Sequence, residues 1–206
     1  MKKRIPIYIL GLFIMAFGIV LIKKANLGMS PLSAIPAAVA NFTTFTLGNT
    51  TIGFHVFCII LQIILTRRVT VKTVLLLPLA VVFGYIIDLY MFIMGFVAVV
   101  YWLRIACCFF GIVFTALGIV IIVSVDLMLP APDAFLLSAS LFFKRPLSQV
   151  KIIGDITWVV VAVAIELVNT GNIVSVGIGT LASMYLTGRF VGIIKQRLPQ
   201  LEKLAS

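Results

Sequence analysis

Runs of roughly twenty apolar residues, separated by short clusters of Lys and Arg, recur along the whole of this chain. A run of that length crosses the hydrocarbon core of a bilayer as a helix, because lipid offers no partner to an open backbone N–H or C=O. With 63% apolar and 11% charged residues among 206, and a mean hydropathy of +1.26, the chain lies outside the soluble globular class. It reads as an all-α, polytopic membrane protein with a single membrane domain over residues 1–206. A formal net charge of +10 would point to nucleic acid in a soluble protein. Here the basic residues flank apolar runs, so they orient spans and meet anionic lipid headgroups, and no nucleic-acid partner is expected.

The opening "MKKRIPIYILGLFIMAFGIVLI" has the basic start and apolar core of a signal peptide, but no A-x-A-like cleavage site follows it. It is expected to be a retained span. Cys58, Cys107 and Cys108 are odd in number, lack metal-ligand spacing and sit in apolar runs, so they are expected to be small packing residues. Neither a metal nor a cofactor is expected.

Residues 11–34, "GLFIMAFGIVLIKKANLGMSPLSA", align without gaps on 111–134, "GIVFTALGIVIIVSVDLMLPAPDA", with eight of 24 positions identical. Glycines and a Pro-bearing break fall in register, which suggests two repeated halves, 5–96 and 99–195. The first half has apolar segments at roughly 5–22, 31–47, 51–66 and 73–95, and the second at roughly 99–123, 131–143, 152–168 and 173–194. The second segment of each half is too short to span, and is expected to enter the membrane and leave on the same side. The expectation is therefore about six spanning helices plus two short broken or re-entrant helices.

Charge favours six spans over eight. With six spans and cytoplasmic termini, twelve basic residues fall inside against three outside; with eight, the ratio is ten to five. Three spans per half makes the second half inverted relative to the first, a plan shared by many secondary transporters.

In "ANLGMSPLSAI" (25–35), Gly28 suits a left-handed residue at a helix end, Ser30 an N-cap and Pro31 the first position of a new helix. A helix beginning at membrane depth points free N–H groups inward, so Asn26, Gly28, Ser30, Pro31 and Ser33 form a candidate substrate-binding set suited to an anionic or carbonyl group. The matching "VDLMLPAPDAF" (125–135) carries Asp126 and Asp133 instead, which suit a proton or cation, with Pro132 opening the second short helix and Asp133 in its first turn. A surface turn with solvated acids is the simpler alternative. Asp88 is the deepest carboxylate; insertion costs about 2.5–3.5 kcal/mol there, so a partner is expected, first Arg104, then Arg189. His55 reads as an interfacial residue opening the third segment, with Asp155 at the matching position of the second half. "GIGT" (177–180) suggests a helix start with close contact of small residues. No catalytic motif is found, and an enzyme is not expected.

"LGMSP" (27–31), its echo "PAPDA" (130–134), "VGIGT" (176–180) and "FGYIID" (83–88) give the chain a resemblance to bacterial YczE/YitT-type membrane proteins. Met128 stands where a second Gly like Gly28 would be expected. The resemblance implies a small, duplicated, multi-pass protein of the bacterial plasma (inner) membrane, its termini cytoplasmic. The leading functional expectation is a secondary transporter or exporter of a small-molecule substrate, its cavity lined by both breaks. The alternatives are a non-transporting membrane subunit that binds a partner protein or ligand for a separate module, and a passive scaffold. At 22.5 kDa, a homodimer is a candidate assembly.

Overall fold

The computed structural model describes residues 4–197. Eight helices follow one another: α1 (Arg4–Ala25), α2 (Pro31–Phe42), α3 (Leu47–Thr66), α4 (Val71–Ile93), α5 (Tyr101–Ser124), α6 (Ala131–Phe143), α7 (Leu147–Thr170) and α8 (Ile178–Arg197). No strand occurs among the described residues. Five helices, α1, α3, α4, α5 and α7, are long and apolar enough to cross a membrane, against about six expected. The remaining long helix, α8, has 20 residues, but Arg189, Lys195 and Arg197 and several hydroxyl side chains dilute its apolar content. The short helices α2 and α6 have 12 and 13 residues, about 18–20 Å against a hydrocarbon core of about 30 Å.

Two boundaries differ from the apolar pattern because local capping decides them. α3 begins at Leu47 rather than 51, because Thr46 Oγ1 accepts the Asn49 N–H at 3.1 Å. His55 therefore lies two turns inside α3 and does not open it. α8 begins at Ile178 rather than 173, since 173–177 remain outside the helix for a reason given below.

The centre of the protein is the α1–α5 pair. Gly11 faces Ile122, Met15 faces Gly118, Gly18 faces Thr115 and Ile22 faces Gly111. The order along one helix is reversed on the other, so the two run antiparallel. A Cβ at Gly18 would lie 2.5 Å from the Thr115 amide nitrogen and 2.6 Å from the Gly111 carbonyl oxygen; small residues let the backbones approach this closely. Around this pair, α1 packs on α4 and α5 on α8, while of the short helices α2 packs chiefly on α7 and α6 on α3. Phe54 of α3 and Trp158 of α7 meet edge-on, 5.3 Å apart.

The outer surface is apolar, with Phe92 86% and Val168 85% exposed among many large hydrophobic side chains on α4, α5 and α7. In water such a surface would aggregate; facing acyl chains it costs nothing.

Candidate functional site, a cavity between two chain breaks

α1 ends at Ala25 and α5 at Ser124, and both chains then turn through a residue at φ +50, Asn26 in one and Asp126 in the other. Asn and Asp are the non-glycine residues that adopt this conformation most readily. The expectation that Gly28 supplies the left-handed residue at the helix end is thus corrected. Asn26 and Asp126 are exposed and do not line the cavity described below.

Gly28 has a separate task. Its φ is +103, and a Cβ there would fall on the Gly177 amide nitrogen and 2.6 Å from Thr180 Oγ1. The Gly179 N–H donates to the Leu27 carbonyl at 2.7 Å, and the Met29 N–H to the Ser175 carbonyl at 2.8 Å. The irregular stretch 27–29 and the segment 175–179, which runs into the first turn of α8, therefore satisfy each other's backbone groups, a necessity wherever irregular chain is buried away from water.

After this stretch the chain has re-entered the bundle. Ser30 and Pro31 share a cavity with Met15, well down α1, yet at the far end of α2 Asn41 Oδ1 accepts from Lys23 Nζ at 2.9 Å, back beside the end of α1. α2 thus climbs back to the end the chain had left. Pro31 is the first residue of α2, as its fixed φ favours. Ser30 holds the N-cap position, but its hydroxyl donates to Ser33 Oγ at 3.2 Å and caps no N–H. In the second break Pro130 takes the N-cap position and Ala131 opens α6. Pro132 is thus the second helical residue rather than the first, while Asp133 lies in the first turn.

Both breaks reach one cavity of about 470 Å³. Ser30, Pro31 and Ser33 of the first, and Pro130 and Asp133 of the second, share its wall with Lys151 and Asp155 of α7 and Ser183, Thr187 and Gly188 of α8. Most of the remaining lining is aliphatic, including Ile19, Ile119 and Leu136. Lys151 Nζ donates to Asp133 Oδ1 at 3.2 Å and lies 4.0 Å from Asp155 Oδ1. Lys151 and Ser183 were not legible as site residues in the sequence, since neither belongs to a break.

The place where α3 meets α4 is closed. Residues one hundred positions earlier than those of the cavity wall touch each other: His55 stacks on Phe83 with ring centroids 5.7 Å apart, and Ile52 fills the space over Gly84. Asp88 Oδ1 accepts the Gly48 N–H at 2.8 Å, and Oδ2 the Thr46 hydroxyl at 2.6 Å. This corrects the expected Asp88–Arg104 pair. The free N–H groups of the α3 amino end lie directly against Asp88 and supply its partners, whereas Arg104 Nε donates to the Ala98 carbonyl at 2.9 Å. Arg189 is not the partner either; its guanidinium lies 4.7 Å from the Tyr185 ring centroid. Where α3 and α4 meet, only a space of about 10 Å³ remains beside His55 and Phe83. α7 and α8 are held apart by the large cavity.

One buried carboxylate was missed in the sequence. Glu166, fully buried on α7, accepts from Asn41 Nδ2 at 2.7 Å, the Ser175 hydroxyl at 2.8 Å, and the Val174 and Ser175 N–H groups, each at 3.0 Å. By binding the Val174 and Ser175 N–H groups it holds this stretch out of the helix, which delays the start of α8. The only sequence signal was a lone acid in an apolar run, "VAVAIELV".

No curated protein and no solved structure matches the chain. Residues 2–196 match a family whose description is "Family of unknown function (DUF6198)". This chain is a member of that family, DUF6198.

Proposed function

We propose that this protein is a secondary transporter of a small solute, not an enzyme, built from two inverted halves that close alternately over one central site. We place it in the bacterial inner membrane, with both termini cytoplasmic, as a relative of the YczE/YitT-type proteins. The observation that carries the reading is the contrast between the halves. The α3–α4 contact is shut by His55, Phe83 and Asp88, while the equivalent faces of α7 and α8 stand open on a cavity reached by both breaks. In an inverted repeat, exchanging these two conformations moves the opening from one membrane face to the other. The antiparallel α1–α5 pair supports the inversion independently of any count of spans.

Cysteine accessibility tests it. Thr187 lines the open cavity, and Ile87, one hundred residues earlier, is fully buried. With the native cysteines replaced, Thr187→Cys and Ile87→Cys should both be alkylated by an impermeant thiol reagent, from opposite faces of oriented vesicles. A static scaffold would leave Ile87→Cys protected from both. Asp88→Ala removes two charge-assisted hydrogen bonds from the closed side and should raise the Ile87→Cys labelling rate about tenfold or more. Sidedness is read separately at the 67–72 loop. Thr70→Cys should stay unlabelled in intact cells until they are permeabilised; labelling from outside would reverse the assignment of the termini.

A further inference from the structure

We propose that Asp155 and Ser183 bind the ammonium group of a small amphipathic amine, the solute class the cavity accepts. Binding itself needs only the cavity; the word solute rests on the transport reading.

The cavity wall carries two carboxylates and one ammonium. Lys151 hydrogen-bonds Asp133 at 3.2 Å and stands farther off, at 4.0 Å, from Asp155. The Asp155 Oδ1 atom is buried and has no hydrogen-bond partner among the described residues. Ser183 of α8, which lines the same cavity, is 1% exposed, and its Oγ also has no partner among them. Two orphaned polar atoms on two helices that line one cavity are costly unless something bonds to both.

The pairing of the two positions is visible in the closed half. His55 and Phe83, one hundred residues before Asp155 and Ser183, are in stacking contact. If α7 approaches α8 as α3 approaches α4, Asp155 and Ser183 are brought face to face. A carboxylate oxygen and a hydroxyl oxygen together call for a hydrogen-bond donor with positive charge. The amino end of α2 offers at most about half a positive charge, less than the surplus carboxylate. A bare metal ion would need about six oxygen ligands, whereas the rest of this wall is largely aliphatic. A volume of about 470 Å³ lined in this way suits an organic cation with an apolar body.

The probe is radiolabelled phenethylammonium, bound at equilibrium to the purified full chain in lipid nanodiscs. Saturable binding is expected, with competition by other primary amines and none by phenylacetate or 2-phenylethanol. Asp155→Asn should weaken it about thirtyfold and Ser183→Ala several-fold, as expected for losing a charge-assisted and a neutral hydrogen bond. Asp155→Glu should retain binding, and Arg68→Gln, on an exposed loop, should leave it unchanged. If Asp155→Asn does not remain monodisperse, Ser183→Ala and Asp155→Glu carry the comparison. Absent saturable binding, unchanged affinity in Asp155→Asn and Ser183→Ala, preference for phenylacetate, or Asp155-dependent displacement by sodium would each overturn the proposal. Amine binding without labelling of Ile87→Cys would keep this site and remove the transport reading. Labelling from both faces without amine binding would do the reverse.

Discussion

Glu166→Leu is expected to destabilise the protein by about 2–4 kcal/mol, because the buried Ser175 N–H and hydroxyl lose their acceptor at about 1–3 kcal/mol each. The side chain is fully buried and binds donors from two places in the chain: Asn41 at the end of α2, and the adjacent Val174 and Ser175 before α8. Leucine fills the volume but leaves the buried Ser175 N–H and hydroxyl, and the Val174 N–H, without their acceptor, while the exposed Asn41 amide keeps Ser175 Oγ at 3.0 Å. The stretch 173–177 then loses its anchor, and with it the Ser175 carbonyl that receives the Met29 N–H. Glu166→Gln should be milder, because one carbonyl oxygen remains to accept, although the new amide donor faces donors. Thermal unfolding in detergent, followed by loss of the monodisperse peak, checks the order wild type, Gln, Leu. Equal midpoints for wild type and the Leu variant would mean that Glu166 does not anchor this region.

The other large effect is expected at Gly28, where two penalties coincide. Its φ of +103 is a conformation L-residues seldom adopt, and a Cβ would strike the backbone of Gly177 as well as Thr180 Oγ1. Backbone cannot move aside as a flexible side chain can, so even Gly28→Ala should separate the 27–29 and 175–179 stretches and open the hydrogen bonds between them. Little folded protein should survive extraction, and Gly28→Val should yield none. Gly53 is the matched control. It lies inside α3 with nothing within 4 Å of the place a Cβ would occupy, and Gly53→Ala should be neutral or stabilising by about 0.5–1 kcal/mol through helix propensity. A Gly28→Ala protein as stable as Gly53→Ala would refute the close-contact account.

Much of the candidate site could be read from the breaks, and its chemistry could not. Ser30, Pro31, Ser33 and Asp133 do share one cavity, because a Pro-bearing interruption after a long apolar helix marks where the chain turns back into the bundle. Asn26 and Asp126 stand in the same motifs but stay outside, each spent on the turn that ends its helix. Asp88, Asp155 and Glu166 look alike in sequence, each a lone acid near apolar residues. They differ only in what faces them. Asp88 meets the amino end of α3, Glu166 meets Asn41 from 125 residues away, and Asp155 meets a cavity.

By itself, then, the sequence determined that the chain is helical and membrane-embedded, where its long helices fall, and where two short ones interrupt them. Those properties follow from apolar content, residue periodicity and the backbone limits of Gly and Pro, which act over a few turns of chain. Tertiary structure decided which acids are satisfied and which is left open, that α2 packs on α7 and α6 on α3, and that α3 and α4 close on each other while α7 and α8 line a cavity. Those outcomes depend on contacts between residues far apart in the chain, 40 positions for Asp88 with Gly48 and 125 for Glu166 with Asn41, formed in a medium where an unpaired polar group is too costly to leave alone.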